Sequence, residues 1–443
     1  MTRSALLDPL FSDPAIAAIF SDEHFIADML RVEVALAKVQ AALGVIPGDS
    51  AEAIAQRAST LQVDMQRLQT GIDNSGVPTI DLIQQLREQV GGEAAAYVHW
   101  GATTQDIMDT ALVLQIRAAL EHVESHLRQL ITSLAGLADQ HRGTLMAGRT
   151  HSQQALPITF GFKVAGWLAP LLRDMQRLNE MKPRLLVVQL GGAVGTLASL
   201  EDDGPRVQAA LADELGLHVP LLPWHTQRDT LAELAGWCSL LTGSLAKMAQ
   251  DVILMAQSEV AELHESDDPA RGGSSTMPQK SNPIISEVII AAARTNAALL
   301  SSMHQALIQE HERATGGWQM EWLALPQMII LTGAALNKAA FLGDNLVVDA
   351  AQMRRNVKAS NGLMLAEALN LALAPIMGRS EAKQMIKAAC STALEQKRHL
   401  VDVVREQTDA ELDWDSLRDE AHYLGASDTF IDRVLQEAER TVV

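Results

Sequence analysis

The stretch "LAELAGWCSLLTGSLAKMAQDVILMAQSEVAELHE", beginning at Leu231, constrains the fold most. Leu231, Leu234, Cys238, Leu241, Leu245, Met248, Val252 and Met255 recur at alternating steps of three and four, for about three heptads. That spacing keeps one apolar seam on one side of a long helix and requires a neighbouring helix to cover it. Continuing the same steps reaches Glu259 and Glu262. Carboxylates on a core seam are costly unless paired or serving a site, so either a functional neighbourhood is expected there or the helix emerges into solvent.

A second helix is expected from Ile284, with Val288, Ala292, Thr295, Leu299, Met303 and Leu307 on one stripe and Pro283 at its N-terminus. Further helices are expected at about 23–43, 106–141, 159–182 and 318–343, several of them long enough for a bundle. The segment "GLMLAEALNLALAPIMGR" reads as a helix stopped by Pro375. Strand signal is scarce. The best candidate is "RLLVVQLGGAVGT", whose glycines lack the G-x-G-x-x-G spacing of a dinucleotide site. The expected fold is all-α in three helical parts, with soft boundaries giving 1–105, 106–345 and 346–443.

Between these helices lie three polar stretches. "GGSSTMPQKSNP", residues 272–283, combines glycines that permit close backbone approach with the hydroxyls of Ser274 and Ser275 and the donors Lys280 and Asn282. Pro278 and Pro283 narrow its conformations. A loop of this kind either orders over a carboxylate-bearing substrate and excludes water, or is a surface linker. "GATTQDIMD" places Thr103 and Thr104 at a helix start, where they either cap the helix or bind a carboxylate. "GRTHSQQALPIT" offers Thr150, His151 and Gln154.

Charge narrows the partners. Lys and Arg number 35 against 54 Asp and Glu, a net charge of −19, which argues against a nucleic-acid surface. An anionic substrate then needs cations concentrated at its site. Arg228 and Arg313 are candidates, each with an ion pair as the plainer alternative, and His99 is either a site residue or a packed one. The two cysteines sit in apolar helical patterns, which fits a reducing cytoplasm. His122 and His126 have helical spacing but no third ligand nearby, so no metal site is expected. The N-terminus lacks a signal-peptide core, and no uninterrupted apolar run approaches the ~20 residues of a membrane span.

"TTQD", "GRTHSQQALPIT" and "GSSTMPQKSNP", in that order and joined by long helices, resemble the fumarase/aspartase superfamily, and the third matches G-S-S-x-M-P-x-K-x-N-P at every fixed position. Within it, "YVHWGATTQD", "KPRLLVVQLGGAVGTLASL", "PWHTQRD", "QEHERATGGWQMEW", "GLMLAEA" and "AHYLG" are most similar to the bacterial 3-carboxy-cis,cis-muconate cycloisomerases, with adenylosuccinate lyase next. The resemblance implies a three-domain helical subunit, a central bundle of long helices forming a twenty-helix core in a homotetramer, and active sites built from three chains. The Leu231–Met255 seam would suit a partner chain.

The same resemblance implies a small polycarboxylate substrate and chemistry that needs no redox cofactor or metal. Ser274 is then the catalytic base or acid, with backbone amides or Lys280 stabilising its alkoxide, and His151 the general acid. Thr103, Thr104, Thr150, Gln154, Ser275, Lys280, Asn282, His99, Arg228 and Arg313 are substrate-binding candidates. Three positions depart from the cycloisomerase pattern: His151 stands where tryptophan is usual, and Gln279 and Ser281 replace the histidine and arginine of "MPHKRNP". Those departures keep open an elimination lyase releasing fumarate or a related acid from an N-substituted aspartate-like substrate.

Overall fold

A computed structural model describes residues 6–268, 270–277 and 279–442. Pro278 lies outside them. Five long helices dominate: Thr104–Gln140, Phe160–Leu185, Asp229–Met255, Ile284–Gln305 and Gly317–Asn345. The all-α reading holds, and each expected long helix is present with bounds shifted by a few residues. Two findings correct it locally. The Asp229–Met255 helix stops before Glu259 and Glu262, and the Ala366–Met377 helix runs through Pro375 to end at Gly378, whose φ of 90° needs no Cβ.

Cα packing divides the chain into two compact units. One comprises the described residues of Met1–Ser125, Gln176–Thr242 and Ala292–Ala335; the other comprises His126–Met175, Gly243–Ala291 and the described residues of Leu336–Val443. Every boundary falls inside one of the five long helices.

In the first unit, the helices Asp22–Ala42, Gly48–Ala58 and Thr79–Val90 pack through Ala37, Ile54, Ile83 and Leu86, all buried. Asn296 donates to the Thr332 hydroxyl (3.0 Å) and to the Met328 carbonyl (3.3 Å), placing a polar contact in an otherwise apolar helix contact, while its own Oδ1 accepts no hydrogen bond. Cys238 is fully enclosed nearby, and burial pushes its thiol up to about 12, which leaves it unreactive.

In the second unit, Leu145–Thr150 and Gln153–Thr159 form an antiparallel hairpin that sequence patterning misses. Its inner face, Leu145 and Ala147, packs on Val357 of the Ala350–Lys358 helix and on Met364. The expected strand at "RLLVVQLGGAVGT", in the first unit, forms no ladder: Leu185 ends a helix, Val187 makes a single bridge to His218, and Gly192 and Gly195 turn at φ 68° and 89°. A C-terminal core gathers Leu365, Leu369, Leu373, Ile386, Leu400 and Val404.

All eight seam residues from Leu231 to Met255 are at most 3% exposed, so the chain covers its own seam. This corrects the expectation that the seam faces a partner. Large apolar side chains left exposed on the long helices are instead Leu240, Leu254, Ile284 and Leu323. Ile284–Gln305 and Gly317–Asn345 are long and apolar enough to cross a membrane by length and composition, although charges interrupt both, Glu287 and Arg294 in one and Glu321 and Lys338 in the other. The second is mostly buried, as a bundle core helix is.

Candidate active site

In the first unit the chemistry gathers at the start of the Thr104–Gln140 helix. Thr103 precedes it, and Asp106 reaches back to accept the Thr103 N–H (3.0 Å), half of a capping box. The same buried carboxylate accepts from Gln189 Nε2 (3.2 Å), Gly191 N (2.9 Å), Gly192 N (2.9 Å) and His225 Nε2 (2.7 Å). It thereby ties the threonine turn to the glycine segment. Gly191 is required there because a Cβ would stand 2.7 Å from Pro223 and 2.9 Å from His225.

Arg313 straps the same region from outside. It donates to Gln105 Oε1 (3.3 Å) and to the carbonyls of Ala193 (2.9 Å) and Gly192 (3.5 Å). His99 adopts φ 64°, an uncommon conformation for a non-glycine residue, and its Nδ1 lies 2.6 Å from Glu33, a carboxylate buried at 1% exposure. Burial pulls the imidazolium down, but the charge and hydrogen bond of Glu33 more than reverse it, so the His99 pKa is raised.

Arg228 corrects its sequence reading. It is 2% exposed and fully committed to Asp109 (2.6 and 3.0 Å) and Glu321 (2.5, 2.9 and 3.2 Å), with its guanidinium 4.7 Å from the Trp224 ring. An arginine so enclosed offers substrate almost no accessible surface; it makes ion pairs with the Thr104–Gln140 and Gly317–Asn345 helices.

In the second unit, His151 and Ser152 form the two-residue tip of the hairpin, with φ 48° and 63° between paired Thr150 and Gln153. Two left-handed residues are what a type I′ hairpin turn demands, and Asn-Gly is the usual solution. A histidine there accepts some backbone strain and holds its imidazole exposed at the end of a stiff ribbon. Two residues back, Arg149 makes a bidentate pair with buried Glu262 (2.6 and 2.9 Å), which also accepts from Asn356 (2.9 Å). The carboxylate beyond the seam is thus an anchor for the hairpin. Gln154 lies 3.5 Å from the Asn356 carbonyl, and Thr150 is exposed beside the tip.

The 272–283 loop is closed at its neck. The Gly272 carbonyl accepts from both the backbone N–H (2.8 Å) and side-chain amide (3.0 Å) of Asn282, and Gly273 bridges Ser281. Gly272 has φ 66°, and a Cβ there would fall 2.5 Å from the Asn282 carbonyl oxygen. Asn282, expected as a substrate donor, therefore spends a donor on the loop itself. Beyond the neck, Ser274 Oγ accepts from Met277 N (3.2 Å) and Thr276 N (3.4 Å), while Ser275 and Lys280 are exposed. Glu265 accepts from Ile285 N (3.0 Å) and Ser286 N (2.7 Å), capping the helix that follows the loop.

Gln189, His225 and Glu33 are structural carriers that the sequence did not single out, whereas Glu262 stood out as a carboxylate beyond the seam. Asp106 had one available signal, its position three residues after Thr103.

Comparisons with known proteins place the chain among lyases. Residues 11–295 match the family model described as Lyase, and residues 362–434 match the one described as adenylosuccinate lyase C-terminus. The chain is 44% identical to a 3-carboxy-cis,cis-muconate cycloisomerase of Pseudomonas aeruginosa, over 98% of this chain and 96% of the relative. It superposes on the 3-carboxy-cis,cis-muconate lactonizing enzyme of Pseudomonas putida with a TM-score of 0.94 at 41% identity, covering 99% and 100% of the two chains. A fumarate lyase from Mesorhizobium sp. BNC1 superposes with a TM-score of 0.90, also at 41% identity, over 98% and 99%.

Proposed function

The chain belongs to the fumarase/aspartase superfamily of lyases, and from that premise we propose that it is a 3-carboxy-cis,cis-muconate cycloisomerase of aromatic-acid catabolism. The full-length likeness to cycloisomerases carries the substrate assignment, and the environment of Ser274 supports the chemistry. In the reaction one substrate carboxylate attacks an alkene carbon and closes a lactone. The electron pair of the broken π bond passes to the adjacent carbon and its carboxylate as an enolate-like intermediate, which a proton from the enzyme then quenches.

Serine is a poor acid or base at its ordinary pKa, and two backbone N–H groups aimed at Ser274 Oγ favour its charged form. Lys280, Ser275, Thr103 and Thr104 serve as carboxylate donors in this reading, with Thr150 and Gln154 beside the hairpin tip. Ser274 delivers the quenching proton and His151, as general acid, restores it to the serine; Arg313 holds the threonine turn against the glycine segment, and His99, its pKa raised by Glu33, stands beside it.

The active assembly in this reading is a homotetramer that draws its three polar stretches from three chains, in the cytoplasm, without metal or redox cofactor. Exposed Leu240, Leu254 and Leu323 on the long helices, and an exposed histidine at a hairpin tip, support it. The division at 1–105, 106–345 and 346–443 belongs to the same reading, and limited proteolysis nicking near residues 105 and 345 would support it.

His151, Gln279 and Ser281 favour a second reading, an elimination lyase acting on an N-substituted aspartate-like acid. A paired ultraviolet assay separates the two. Loss of the conjugated diene of 3-carboxy-cis,cis-muconate, with lactone seen by NMR, is the expected result; unsaturated acid formed only from adenylosuccinate or a related N-substituted aspartate would replace the cycloisomerase with the lyase. Ser274→Ala is expected to lower turnover by roughly 10²- to 10⁴-fold with the fold intact, and unchanged turnover would remove Ser274 from the mechanism.

A further inference from the structure

The first unit contains a cavity of about 490 Å³ that none of the chemistry above uses. Its walls are aromatic and thioether groups, among them Phe20, Phe25, Met29 and Met108, with Trp318 and Trp322 edge to face at 4.8 Å. Its floor is polar. Asp109 and Glu321 line it, each 1% exposed, and both are held by Arg228 behind them.

The charges at that floor do not balance. Asp109 is well supplied, accepting from Arg228, from Trp318 Nε1 (3.0 Å) and from Gln105 (3.0 Å). Glu321 shares the same guanidinium and has no second cation. Two buried carboxylates against one arginine leave one negative charge in excess, and burial accordingly raises the Glu321 pKa despite the arginine. Among the described lining residues there is no Lys or Arg, and Asp22 adds a third carboxylate. A polycarboxylate would meet only repulsion here.

We propose that this cavity is a binding site for a small arylalkyl ammonium ion. The ring lies against Trp318, Trp322 and Phe25, and the ammonium faces Glu321, offsetting the excess negative charge that the two carboxylates leave against one arginine. Apolar walls with few convergent polar groups are the usual make-up of a small-molecule site, and indole faces add cation–π attraction.

Isothermal titration calorimetry on the full chain tests this with three probes of one shape: 2-phenylethylammonium, 2-phenylethanol and 3-phenylpropionate. Saturable binding of the ammonium is expected, at least about tenfold tighter than the alcohol and with no measurable heat from the carboxylate. Glu321→Gln leaves Arg228 paired with Asp109 and should weaken the ammonium about tenfold while leaving the alcohol unchanged. Leu112→Trp fills the cavity and should abolish binding; Met65→Trp, at a half-exposed lining position, does the same without touching the core. Equal affinity for the three probes, ammonium binding that survives both tryptophan variants, or no saturation by ~10 mM would each overturn the proposal. The readout is heat of binding and not turnover, so it stands or falls separately from the cycloisomerase reading.

Discussion

Asp106 accepts five hydrogen bonds inside the protein, and a group with that many donors facing it tolerates little change. Asp106→Asn turns one acceptor oxygen into a donor that confronts backbone N–H groups. A loss of about 3 kcal/mol in urea unfolding is expected, together with a raised KM because Thr103 and the glycine segment lose their common tie. His99 and Glu33 predict a pH effect. Because the folded-state pKa of His99 is raised, its pairing stabilises the protein fully below the unfolded value of about 6.5 and fades as pH rises through the higher folded value. Unfolding curves of wild type and Glu33→Gln should therefore differ most in mildly acidic buffer and converge in alkaline buffer. A constant gap across pH would assign Glu33 a purely packing role.

At the scale of elements, the helix after the 272–283 loop starts on a carboxylate borrowed from outside it. Glu265→Ala removes the acceptor for Ile285 N and Ser286 N and should cost about 1 kcal/mol, with faster amide exchange at the first turn of Ile284–Gln305 and across the loop neck. The long helices were legible in the sequence because their apolar periods persist over many turns, and the three polar stretches because each interrupts such a period. The hairpin was not legible. Its tip, His151 and Ser152, lacks the Asn-Gly that marks a type I′ turn, and its polar text reads equally well as a loop. The partners of Arg228 and His99 were hidden for a different reason: Glu321 and Glu33 come from helices far away in the chain, and nothing local in "TQRD" or "YVHWG" encodes them. Sequence therefore named the charged residues but not which of them the fold consumes.

For the whole molecule, exposed Leu240, Leu254 and Leu323 on the long helices are the surface the proposed tetramer would bury. Light scattering should return four chain masses for the wild type. Leu323→Asp combined with Leu254→Asp should yield smaller, folded and inactive species, whereas a fully active monomer would end the shared-site model. The partition of the chain carries a hereditary consequence as well. All five crossings between the two compact units lie within helices, so no single recombination event exchanges one whole unit by itself, and each would splice two half-helices. One crossover therefore cannot trade modules on this scaffold, in keeping with the end-to-end alignment of this chain with both a cycloisomerase and a fumarate lyase.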